Sequence, residues 1–191
     1  MRSPVASLLA DLAAGLESLG VAWYLFGARA AILHGVARLT ADVDVTVRLP
    51  AQVSSRSVVD RLVTHHFQPR ITEPDFIERT RVLPLLHTPS SLPLDIVIAG
   101  PGLEDRFFDR AITRLVEDVR VPVASAEDII IMKVLAGRPK DIEDIVAIAA
   151  GYGDALGVDD VRQTLGAVEA ALGQSDLKPV FEAALARARR H

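Results

Sequence analysis

Apolar residues Val5, Leu8, Leu9, Leu12, Leu16 and Leu19 recur at the spacing of one helix face. They predict an amphipathic helix over residues 4–19, which Gly20 ends. Val21–Phe26 is short and apolar, the pattern of a buried strand. Gly27-Ala28 reads as a tight turn of small residues, Arg29–His34 as a short helix closed by Gly35, and Asp42–Val47 as a strand ended by Pro50. Val53, Val58, Val59, Leu62 and Val63 predict a helix over 52–64. Pro69 and Pro74 break any long element in 66–80, where loop and short strands are expected. Arg81–His87 reads as a strand with Pro84 at an edge position, and Thr88–Ser91 as a turn. Leu92–Ala99 reads as a strand carrying a single acid, Asp95. Leu103–Ala111 follows as a helix, and Ile112–Val123 as a further strand or hairpin.

From Ser125 onward the pattern is helical. Ser125 with Asp128 resembles a capping box that opens a helix over 126–136, with Gly137 as its stop. Pro139 suits the first turn of a helix over 139–150. After a loop over 151–157, Val161, Leu165, Val168 and Leu172 mark a third helix; Ser175 can cap a fourth, which carries Leu177, Val180, Phe181 and Leu185. The expected class is α/β in the broad sense (α+β): an α/β part over 1–124, then a helical part over 125–191 packed on it.

Half of the 191 residues are hydrophobic, enough for a sizeable core. The balance of 21 basic and 25 acidic residues gives −4, which argues against broad non-specific nucleic-acid binding but leaves room for a local basic groove. The absence of cysteine excludes disulfides, thiolate metal sites and a cysteine nucleophile. With one Trp, two Tyr and six Phe, a base-stacking platform is disfavoured. No stretch approaches ~20 apolar residues, and no basic segment precedes a long apolar run, so a soluble cytoplasmic protein without membrane association is expected.

The sharpest chemistry lies at the start of the second strand. Asp42 and Asp44 are two apart, and strand side chains alternate, so both point to one face while Val43, Val45 and Val47 point to the other. Like charges so placed are either hydrated at a strand edge or bridged by a hard cation. Asp95, alone in an apolar run, is a strand-end acid facing water, a partner for a nearby arginine, or a third carboxylate beside Asp42 and Asp44. Three carboxylates can hold two Mg²⁺ ions ~4 Å apart for phosphoryl or nucleotidyl transfer. The Gly27 turn presents backbone N–H groups to an anion or is only a tight connection. Arg29 and Arg38 flank it and suit either a phosphate or an acid. Lys133, within an apolar helix, either snorkels to solvent or meets an anion. In Arg138-Pro139-Lys140-Asp141-Ile142-Glu143-Asp144, the acids favour a helix N-terminus, and Asp144 can pair with Lys133 and orient it. The histidines form no metal box, and His34 reads as a satisfied packing residue.

Phe26-Gly27-Ala28, His34-Gly35, Arg38-Leu39-Thr40-Ala41-Asp42-Val43-Asp44, Leu94-Asp95-Ile96, Lys133 and the Arg138–Asp144 segment stand in the order found in a known superfamily. Over residues 21–150 the chain resembles the nucleotidyltransferases of DNA polymerase β-like fold, and among them the AbiEii-like toxin-type group. The resemblance implies a mixed-sheet nucleotidyltransferase core with a C-terminal helical bundle. It also implies a magnesium-dependent transferase moving a nucleoside monophosphate from an NTP to a tRNA or protein acceptor, as the toxin of a toxin–antitoxin pair with an antitoxin partner. Asp42, Asp44 and Asp95 would hold two Mg²⁺ ions; Asp95 would also accept the acceptor's proton. Gly27 and Lys133 would hold the phosphates, and Ala28, Arg29, Arg38, Thr40, Arg138 and Asp144 would complete the nucleotide site. Ala28 departs from the family's second glycine or serine and brings no hydroxyl. The alternatives are an aminoglycoside-type small-molecule nucleotidyltransferase and a non-catalytic nucleotide-binding module of the same fold.

Overall fold

The computed structural model describes residues 2–71, 73 and 75–190. Pro74 and His191 lie outside the described residues, and with Pro74 the break predicted there. The chain divides into two compact units: Met1–Arg29 with Leu39–Ala124, and Ala30–Arg38 with Ser125–His191.

The first unit is built on one mixed sheet. Its strands are β1 (Ala22–Phe26), β2 (Val43–Arg48), β3 (Phe67–Pro69), β4 (Val82–His87), β5 (Leu92–Ile98), β6 (Ile112–Val116) and β7 (Val119–Val123). They lie in the order β3-β4-β5-β2-β1-β7-β6. β2 runs antiparallel to β1 and parallel to β5, which makes it the central strand. Such a strand needs apolar residues, and Val43, Val45 and Val47 are fully buried as the alternation predicts. Helix α1 (Pro4–Glu17) supplies Leu8, Leu9, Leu12 and Leu16 to the same core; the Ser3 side chain caps it and Gly20, at φ 64°, turns the chain away. Tyr24 on β1 packs edge-on against Phe108 of α5 (Leu103–Arg110), their ring centroids 4.8 Å apart. Ser54 caps α3 (Ser55–Val63), and a short α4 (Phe76–Thr80) falls in the segment expected to be irregular.

Several expectations are corrected. Pro84 is not at an edge, because β4 lies between β3 and β5. It is tolerated there because its carbonyl, and so its missing N–H, faces the β3 side just beyond the end of β3. There the Pro84 carbonyl accepts from the Arg70 N–H at 2.9 Å. Gly27-Ala28 is not a separate turn: β1 runs directly into α2 (Gly27–Leu33), with Gly27 at φ 68°. Asp42 precedes the first residue of β2, so strand alternation does not dictate where its side chain points.

The second unit is helical. It contains α6 (Ala126–Ala136), α7 (Pro139–Tyr152), a 3-10 turn at Gly153–Ala155, α8 (Val158–Leu172) and α9 (Leu177–Ala188). The Ser125 hydroxyl accepts from the Asp128 N–H at 3.1 Å, and Gly137 closes α6 in the left-handed conformation. α7 extends two residues beyond the predicted stop. Ser175 does not cap α9. Asp176 holds the cap position without a side-chain bond, and the free Lys178 N–H donates instead to Glu169 of α8 at 2.9 Å. No helix among the described residues is long and apolar enough to cross a membrane.

Candidate functional site

In the first unit, β-sheet register brings Asp44 and Asp95 together. Phe26 of β1, Asp44 of β2, Asp95 of β5 and Pro84 of β4 are successive cross-strand partners. Residues in register across a sheet share a face, so Asp44 and Asp95 lie side by side. Gly27 follows Phe26, and its backbone comes so near Asp44 that a Cβ there would collide with Oδ2 and lie 2.9 Å from Cγ. The glycine therefore leaves room for the Asp44 carboxylate.

Asp42 stands at the exposed end of the loop into β2. Thr40 shapes that loop: its hydroxyl accepts from the Asp42 N–H at 3.2 Å, while its carbonyl accepts from Arg29 Nη2 at 2.6 Å. Burial lowers the Arg29 pKa, and the negative charge of Asp42 partly offsets the shift. Arg29 Nε is buried without a hydrogen-bond partner. Ala28 brings only a methyl group.

Sequence reasoning did not single out Arg70, which follows β3. Its Nη2 donates to Asp95 Oδ1 and its Nε to the Leu85 carbonyl at 3.1 Å. Asp95 is thus partnered by an arginine, one of the possibilities open for a lone strand acid. Among the described residues no three His, Asp or Glu side chains converge as a metal site. The donor chemistry nevertheless fits Mg²⁺: the oxygens of Asp42, Asp44 and Asp95 are hard ligands, and the missing Gly27 Cβ leaves room for the Asp44 carboxylate where it stands.

The first unit also holds a cleft of about 500 Å³ beside β4. Val59, Val63, Ile71, Leu83 and Leu85 form its apolar part; Asp60, Glu73 and Glu78 bring carboxylates to it, and Arg56, whose Nε donates to Asp60 at 3.0 Å, brings one guanidinium.

In the second unit the predicted cations and acids form one network. Lys133 Nζ donates to Asp141 at 3.2 Å and to Asp144 at 2.5 Å, and Arg38 Nη1 donates to Asp144 at 2.6 Å. Arg138 Nε donates to the other oxygen of Asp141 at 2.5 Å. Lys133, Asp141 and Asp144 are buried. Burial alone would push the Asp141 carboxyl up, but hydrogen bonds from Arg138 and Lys133 outweigh it and hold the pKa below its ordinary value. Lys133 thus meets anions from its own unit, in the orienting arrangement with Asp144 that the spacing allowed. His34 is buried, its Nδ1 2.7 Å from the Tyr152 hydroxyl, as expected of a packing residue.

A family model described as "Nucleotidyltransferase of unknown function (DUF6036)" matches residues 10–165. No curated protein matches the sequence. Among solved structures, the solution structure of the antibiotic-resistance factor ANT(2'')-Ia is similar over 91% of this chain and 97% of its own, with a TM-score of 0.59 and 18% identity. The crystal structure of ANT(2")-Ia in complex with adenylyl-2"-tobramycin is similar over 89% and 99%, with a TM-score of 0.59 and 15% identity. An antigenic nucleotidyltransferase-like protein from Paracoccidioides brasiliensis is similar over 93% and 92%, with a TM-score of 0.52 and 19% identity. At these identities the likeness is one of fold.

Proposed function

We propose that this chain, which belongs to the DUF6036 family of nucleotidyltransferases of unknown function, transfers a nucleoside monophosphate from an NTP to a hydroxyl-bearing acceptor. The observation that carries this reading is the register of Asp44 with Asp95 on parallel strands, with Gly27 giving Asp44 clearance.

Asp42, Asp44 and Asp95 are the residues that would hold Mg²⁺. Two bound ions would supply neutralisation of the triphosphate and its alignment for in-line displacement. Asp95 takes the proton of the attacking hydroxyl at Oδ2, the oxygen that Arg70 does not engage. The acceptor oxygen bonds the α-phosphorus, the bond to pyrophosphate breaks, and pyrophosphate leaves. Thr40 and Arg29 fix the loop that carries Asp42. In the second unit, Asp141 and Asp144 set the orientation of Lys133, Arg38 and Arg138, the cations that the family resemblance assigns to the nucleotide. Positioning and charge account for most of the rate in such chemistry.

Two acceptor classes follow. The AbiEii-like resemblance implies a tRNA or protein hydroxyl, a toxin's role and an antitoxin partner. A small cationic acceptor is favoured by a specific observation, the acid-bearing cleft of the first unit, together with the fold likeness to ANT(2'')-Ia. Incubation with each α-labelled NTP, Mg²⁺ and separate pools of RNA, protein and aminoglycosides tests both. Label is expected in one pool and should fall roughly 10²–10³-fold in Asp44→Asn, the typical loss of a key electrostatic group. Equal labelling by Asp44→Asn would sink the assignment. Metal-independent nucleotide binding with no labelled product would identify a binding module instead.

A further inference from the structure

Arg70 is tied down at three points within the first unit. Its N–H donates to the Pro84 carbonyl at 2.9 Å, its Nε to the Leu85 carbonyl at 3.1 Å, and its Nη2 to Asp95 Oδ1. The side chain thus reaches across β4 to the acid that stands in register with Asp44. Arg70 and Asp95 keep 37% and 41% of their side-chain surfaces exposed. An ion pair so open to water adds little to folding stability. Its electrostatic effect falls on whatever else Asp95 can bind. A guanidinium stays charged at any working pH and cannot leave the carboxylate by deprotonating. Any second cation at Asp95 must therefore compete with it.

We propose that Arg70 is a positioning residue that acts through Asp95. It is a resident counter-cation that holds the carboxylate oriented beside Asp44, and a divalent cation would displace it on loading. Released from Asp95, the guanidinium is free to meet the anionic triphosphate that arrives with the cation. The inference rests on the nucleotidyltransferase reading of Asp42, Asp44 and Asp95.

The test is Mn²⁺ binding to the full chain, followed by electron paramagnetic resonance without nucleotide or acceptor. Arg70→Gln should bind Mn²⁺ on the order of fivefold more tightly than the parent, the screened effect of removing one unit charge at contact distance. Arg70→Lys keeps the charge and should stay near the parent affinity. In an Asp95→Asn background, Arg70→Gln should change nothing, because its effect passes through Asp95. The Arg70 backbone bond to Pro84 survives both substitutions, and near-parental melting temperatures are expected. If Arg70→Gln binds Mn²⁺ no more tightly while Asp44→Asn weakens binding, the role of Arg70 is overturned and the metal reading stands. Equal tightening with and without Asp95 also overturns it. Failure of the parent to bind Mn²⁺, or indifference to Asp44→Asn, overturns the metal reading itself.

Discussion

Gly27 and Asp44 approach each other so closely beside the β1–β2 pair that no other residue fits at position 27 without moving the carboxylate. Gly27 also has φ 68°, a conformation costly for residues with a Cβ. Gly27→Ala should cost about 1–2 kcal/mol for the left-handed backbone, with about 1–3 kcal/mol more from overpacking. Urea unfolding measures the loss. Metal-dependent NTP binding should weaken in parallel, since Asp44 is pushed aside. Parental stability in Gly27→Ala would contradict the close approach.

Lys133 holds two buried carboxylates at once. Lys133→Met keeps much of the side-chain volume but removes the charge between Asp141 and Asp144. Arg138 and Arg38 remain on those acids. The cost should therefore sit near about 3 kcal/mol, the lower end for breaking a buried pair. Denaturant titration checks it, and a change below roughly 1 kcal/mol, the scale of an exposed pair, would show the network to be slack.

Asp141 gives stability a defined pH dependence. Its folded pKa lies below its ordinary value, so folding favours the ionised form. That stabilisation is fully present above the unfolded pKa of about 3.9. It is lost as pH falls through the lower folded value. Unfolding free energy measured from about pH 5 downward should fall with acid, in the range set by the unfolded carboxylate pKa. In Asp141→Asn the acid limb should be shallower. An unchanged slope would remove Asp141 from the account.

Ser125 caps the helix that carries Lys133. Ser125→Ala leaves the Asp128 N–H without its acceptor and should cost about 1 kcal/mol. Thermal melting reads this as a fall of a few degrees. An increase in melting temperature would show that the hydroxyl does not stabilise the helix.

Much of this molecule was legible along the chain because the signals are local. A 3.6-residue apolar period marked α1, alternating valines marked the core face of β2, and Ser125 and Gly137 marked the ends of α6. The order of the glycine turn, Asp42, Asp44 and Asp95 pointed to a nucleotidyltransferase, and the family match bears out that general class. What the sequence left open was which of several compatible partners each charge takes. Arg70 meets Asp95 from 25 residues away, and Arg38 meets Asp144 from 106. No periodicity encodes such pairings, because they depend on strand order and helix placement. Pro84 shows the same limit. Its missing N–H suggested an edge strand, yet β3 stops one residue short of it, and an interior strand tolerates proline there. The sequence alone therefore determined the elements and the chemical character of the acids. Tertiary structure decided their partners, because side-chain electrostatics acts through space at distances that only the folded chain sets.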